Sequence, residues 1–121
     1  MKLKYFKLEE FACPCCGQCD MDDIILQKLD KARDIAGIPF HINSGYRCKE
    51  HNKSVGGSLT SSHLRGLAVD IRTTSSKDRY HILNALLHVG FNRLGVGKHF
   101  IHADVDTNKV QDVIWDYYEK H

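Results

Sequence analysis

The 121-residue chain has no long apolar run, no excess of either charge and no internal repeat. No segment approaches the roughly 20 apolar residues that a membrane-spanning helix needs. The opening Met1-Lys2-Leu3-Lys4-Tyr5-Phe6-Lys7 interrupts its apolar positions too often to form the core of a signal peptide. The expectation is cytoplasmic synthesis without export and no membrane partner, so a substrate beyond the membrane would require a separate release route. Seventeen Lys and Arg against 15 Asp and Glu leave a formal charge of +2. The basic residues are scattered, not gathered into a stripe that neutralises phosphates, so nucleic acid is not an expected partner. Low-complexity segments are also missing, and the length closes one modest core. A monomeric single domain over residues 1–121 is expected.

Cysteine is present, and unevenly spread. Cys13, Cys15, Cys16 and Cys19 crowd a Cys-rich segment at residues 11–20, while Cys48 stands apart. The count is odd. In a chain without an export signal, clustered cysteines more often make a metal site, a redox pair or small buried side chains than a disulfide framework. Cys13, Cys16 and Cys19 follow a C-x2-C-x2-C spacing, and Cys48 could complete four thiolates around a structural zinc. Structural zinc patterns usually carry two separated cysteine pairs, and here the second half offers Cys48 alone. Reduced thiols packing a loop, or a disulfide, therefore stay open.

Periodicity sketches the elements. Asp22 to Ala36 places Ile24, Ile25, Leu29, Ala32 and Ile35 at helical spacing, with acidic residues at the start and Gly37-Ile38-Pro39 after it. Residues 40–44 alternate like a short strand, and Gly45 to Cys48 turns out of it into a polar stretch, 49–62, read as loop. Residues 67–72 read as a buried strand. Residues 76–89 make a second helix with Tyr80, Leu83, Leu86 and Leu87 on its apolar side, and Gly90 follows. Two strands, 91–97 and 100–105, are joined by a short turn, and 110–118 is a strand or short helix carrying the only Trp.

Two stretches carry chemistry. Ser62-His63-Leu64-Arg65-Gly66-Leu67-Ala68-Val69-Asp70 is followed by His99-Phe100-Ile101-His102-Ala103-Asp104. His63, Asp70 and His102 together offer two imidazoles and a carboxylate, the donor set of a catalytic zinc site that leaves a fourth position to water. Gly66 permits a turn or close backbone approach between His63 and Asp70. In a strand, His102 and Asp104 share a face, which makes Asp104 better suited to orient a ligating imidazole than to bind the metal itself. Zn2+ is the expected cofactor.

The combination S-x-H-x-x-G-x-A-x-D and an H-x-D strand, preceded by Ser44-Gly45-Tyr46-Arg47, resembles the zinc D-Ala-D-Ala carboxypeptidases and related peptidoglycan peptidases. The likeness is to the short members, which include phage and prophage lysins, and it runs from Phe11-Ala12-Cys13 through Glu50-His51-Asn52 and Val55-Gly56-Gly57 to the Trp115 tail. It implies an α+β domain with a central antiparallel sheet and flanking helices, as in the structurally related Hedgehog signalling domain. It also implies zinc on His63, Asp70 and His102, an arginine at Arg47 that engages substrate, a peptidoglycan stem peptide as partner, and release by lysis. A planar guanidinium can hold a terminal carboxylate bidentately, which suits Arg47 to that part.

One position departs from the family. Three residues before the last zinc ligand its members commonly carry Asp or Glu, and here His99 stands there. A neutral imidazole can take a proton from metal-bound water, so His99 is expected to be catalytic alongside Arg47. Ser62 is expected to bind substrate or shape the turn. His51 matches a position of the family pattern and is read as fixing its loop, while His41, His81, His88 and His121 are read as surface or hydrogen-bonded residues. The missing carboxylate keeps a second reading open, a non-catalytic zinc-containing binding domain of the same fold.

Overall fold

A computed structural model describes residues 2–118. Helix α1, Asp23–Ala36, starts where the Asp22 carboxylate accepts a hydrogen bond from the Ile24 N–H at 2.8 Å, and its last turn runs out at Gly37. It buries Ile25, Leu26, Leu29 and Ala32, whereas Ile24 and Ile35 are exposed. The expected stripe was one position too wide on each side. Helix α3, Ser76–His88, is capped by Ser75, whose Oγ accepts from the Asp78 N–H at 3.1 Å. Its buried face is Ile82, Ala85 and Leu86, so Tyr80 and Leu87, expected on the apolar side, point outward instead.

The polar stretch 49–62, read as loop, contains helix α2, Lys49–Ser54, and leads into a 3-10 turn, Ser62–Arg65. The sequence KEHNKS has no apolar periodicity to betray a helix. Its start is held instead by Cys48, whose sulfur accepts from the His51 N–H at 3.4 Å.

Five strands, β1 (Ile42–Ser44), β2 (Ala68–Arg72), β3 (Arg93–Val96), β4 (Phe100–Asp104) and β5 (Val113–Asp116), form one sheet in the order β1-β2-β4-β3-β5. Its first four strands pair antiparallel, as expected. β5 departs from that pattern by lying parallel to β3 at the edge, which also makes a strand of the 110–118 segment. With helices flanking this sheet, the fold is α+β.

The two sheet faces divide the labour through the period of two. Val69, Ile71, Leu94, Ile101 and Ala103 turn to one side and join the helices in a core that also takes Phe6, Phe11, Phe40 and Phe91. Asp70, His102, Gly95 and Trp115 are register neighbours across β2, β4, β3 and β5, and they form a row on the opposite side. The helix-backed face supplies the stability, which leaves the other free to carry polar groups.

Candidate metal centre

His63, Asp70 and His102 reach one point from three elements. Asp70 and His102 are directly opposed on β2 and β4, the closest arrangement available to side chains of neighbouring strands. His63 comes from the 3-10 turn before β2. That turn ends at Gly66, which has φ of +67° and packs its bare Cα against the Asp20 carbonyl, where a Cβ would collide. Ligand atoms of the three residues lie within 4.8 Å of one another. His63 Nε2 is 3.4 Å from Asp70 Oδ2, and His102 Nδ1 is 3.0 Å from Asp70 Oδ1. A tetrahedral zinc with ligands at about 2.0 Å has edges of roughly 3.3 Å, so the spacing fits the ion.

The remaining nitrogen of each ring is already engaged. His63 Nδ1 donates to the Gly45 carbonyl at 2.8 Å, and His102 Nε2 donates to Asp104 Oδ2 at 2.7 Å. This pairing fixes both tautomers so that His63 Nε2 and His102 Nδ1 present lone pairs to the shared point. Asp104, 1% exposed, also accepts from Arg93 Nε at 2.7 Å and from the Asp106 N–H at 3.1 Å. The residues present therefore fit a bound zinc ion.

Without metal the cluster is electrostatically tense. Burial pushes the Asp70 carboxyl up, but hydrogen bonds and charge from His102 and His63 prevail and hold it well below the usual carboxylate range. Burial pulls His102 down, yet Asp104 and Asp70 outweigh it and raise the imidazole. Asp104 is lowered, because His102 and Arg93 override its desolvation. Two carboxylates around one imidazole favour a cation there, and a divalent ion supplies that charge more strongly than a proton.

The three residues line a cavity of about 360 Å³. Arg47 forms part of its wall, with Nε on Ser44 Oγ at 3.0 Å, Nη1 on Asn52 Oδ1 at 3.2 Å and Nη2 on Asp70 Oδ2 at 3.4 Å. Three of its five N–H groups are thus used to aim the guanidinium beside the metal position.

Ser62 lines the cavity, and its buried hydroxyl donates to Asp106 Oδ2 at 2.6 Å, which shapes the turn that presents His63, one of the two parts expected of it. His99 sits in the exposed turn between β3 and β4 and is not among the cavity-lining residues. The alternation of β4 gives Phe100, His102 and Asp104 the approach to the site, and the His99 backbone carbonyl is spent on the Thr73 N–H at 2.8 Å.

Several contributors escaped the sequence reading. Arg93 and Asp106 hold the polar network from behind, Asp106 also pairing with Arg65. Phe100, Trp115 and Tyr117 make an aromatic wall, with Trp115 5.5 Å from the His102 ring and Tyr117 5.0 Å from Phe100. Gly95 makes room for it. A Cβ there would come within 2.6 Å of both the Trp115 indole nitrogen and the Tyr117 ring. A glycine inside an otherwise apolar strand was the available signal.

Among the cysteines, Cys13, Cys16 and Cys48 come together. Cys19, expected to complete the four-thiolate set, packs instead beside Leu8, Met21 and Leu26 at the edge of the core.

The family model described as Peptidase M15 matches residues 4–106, well over half of the chain and every residue of the His/Asp/His cluster. The chain belongs to the M15 peptidase family. That family is of the zinc D-Ala-D-Ala carboxypeptidase type. No curated protein matches the chain. Metallopeptidase chemistry thus follows from family membership, and the geometry supplies a donor set suited to it. No helix among the described residues is long and apolar enough to cross a membrane.

Proposed function

We propose that this M15 peptidase hydrolyses peptide bonds in peptidoglycan stem peptides, trimming a terminal D-Ala or cutting within the stem, with zinc held by His63, Asp70 and His102. The observation that carries the reading is the opposition of Asp70 and His102 on the cavity floor, with Arg47 bonded to the same carboxylate. Zinc in such a site supplies Lewis acidity and a bound water that ionises near pH 7.

The chain's own residues supply the rest. Asp104 keeps His102 in the ligating tautomer. Arg47, beside Asp70, offers charged N–H donors to the scissile carbonyl oxygen or to a substrate carboxylate. Tyr117, a phenol protonated at neutral pH, offers a hydrogen-bond donor at the cavity wall. The aromatic wall takes the apolar side of the peptide. The lining carboxylates are both committed, Asp70 to the metal and Asp104 to His102 and Arg93. His99 does not line the cavity, and the reading gives it no part. His99→Ala is expected to keep turnover within about threefold of wild type, the scatter of an exposed substitution.

That same commitment favours a second reading, a zinc-containing binding domain without turnover. One experiment separates the two. Purified peptidoglycan and a synthetic stem pentapeptide are incubated with zinc-loaded protein, with protein treated with chelator and with His63→Ala, and products are identified by mass spectrometry. New fragments from the zinc-loaded wild type alone are expected. Intact substrates in that sample would overturn the peptidase reading.

A further inference from the structure

Away from the cavity, the sulfur atoms of Cys13, Cys16 and Cys48 lie within 4.8 Å of one another. Those of Cys13 and Cys48 are 3.6 Å apart. This is far longer than a disulfide bond of about 2.05 Å. It is close to the roughly 3.8 Å edge of a tetrahedron with zinc–sulfur bonds of about 2.3 Å. The surrounding backbone is arranged for sulfur anions. The Cys48 N–H points at Cys13 Sγ at 3.5 Å and the His51 N–H at Cys48 Sγ at 3.4 Å. A tight turn links Gly17 N to the Cys13 carbonyl at 2.7 Å and Cys13 N to the Gln18 carbonyl at 2.8 Å. That turn folds the C-x2-C pair back so that Cys13 and Cys16 face the same corner.

We propose that Cys13, Cys16 and Cys48 form a thiolate site for a structural zinc ion, separate from the His/Asp/His centre, with its fourth position turned toward solvent. Three soft sulfur donors at tetrahedral spacing select zinc over hard cations, and Cys16 is exposed, so the site lies at the surface. The site joins two parts of the chain 35 residues apart, the segment after Phe11 and the residue that directly follows Arg47.

Metal stoichiometry tests this independently of any peptidase activity. Protein is purified under reducing, oxygen-free conditions with zinc and freed of loose metal on a weak chelator, and zinc per chain is measured by mass spectrometry of the elements. Two zinc ions are expected in wild type and in Cys19→Ser, and one in Cys16→Ser, in Cys48→Ser and in His63→Ala. Because a cysteine variant can fail to fold, His63→Ala with all cysteines intact is also loaded with cobalt(II), where a sulfur-to-cobalt charge-transfer band is expected. A single zinc in wild type that His63→Ala removes, or a cobalt-loaded His63→Ala without that band, would overturn the proposal. Two zinc ions with no turnover would sink the peptidase reading and leave this one standing.

Discussion

At the level of single residues, Asp104 concentrates the most consequence. It accepts from His102, Arg93 and the Asp106 backbone while 1% exposed, so losing its charge leaves a buried guanidinium uncompensated and His102 free to change tautomer. Asp104→Asn is expected to weaken zinc binding by about 10- to 100-fold, read by competition with a chromogenic chelator. Arg47 makes the complementary case. Arg47→Ala is expected to leave zinc content unchanged and to lower kcat/KM by about 10- to 150-fold, the worth of one or two charge-assisted hydrogen bonds. Arg47→Lys is expected to recover little of that, because a point charge cannot reproduce the planar fork held by Ser44 and Asn52.

Among the elements, the sheet decides which side chains meet. The strands themselves were legible because β2 and β4 carry strong strand patterns, and that they pair antiparallel followed from the family resemblance. Their period of two fixes which residues share a face. That made His102 and Asp104 readable as neighbours. The same alternation, applied one residue earlier, puts His99 outside the strand and its chemistry outside the cavity. β5 was not legible. Its parallel pairing with β3 depends on a crossover that no local pattern encodes, so Trp115 and Tyr117 could not be placed beside the centre. Nor does C-x2-C-x2-C spacing say which thiol the turn at Gly17 leaves out. Gly95→Val probes the β3–β5 contact. The added side chain collides with Trp115 and Tyr117, so the single tryptophan is expected to shift its fluorescence to longer wavelength and KM to rise. The His/Asp/His metal is expected to be retained, since its ligands lie on the 3-10 turn, β2 and β4.

For the whole molecule, acid stability follows from the buried carboxylates. Asp106 is fully buried; desolvation raises its carboxyl, but Ser62, the Asn108 N–H and Arg65 prevail and lower it. A carboxylate depressed in the folded state contributes stability that is fully present above the unfolded value of about 3.9 and is lost as pH falls through the folded one. In metal-free protein the midpoint of thermal unfolding is therefore expected to fall between pH 5 and pH 3. Asp106→Asn is expected to start lower at pH 5 and to lose less over that interval. A wild-type midpoint that stays level would contradict the assigned network.

The family match stops at residue 106, and two of the three rings of the aromatic wall, Trp115 and Tyr117, come after it. The candidate ligands and their orienting partners thus belong to one stretch of chain, and two of the three rings beside them belong to the next. β5 pairs with the rest of the sheet through β3 alone, at an edge. Under the proposed function, exchanging residues 113–117 is therefore expected to alter which peptide is accepted while His63, Asp70 and His102 keep their places in the chain.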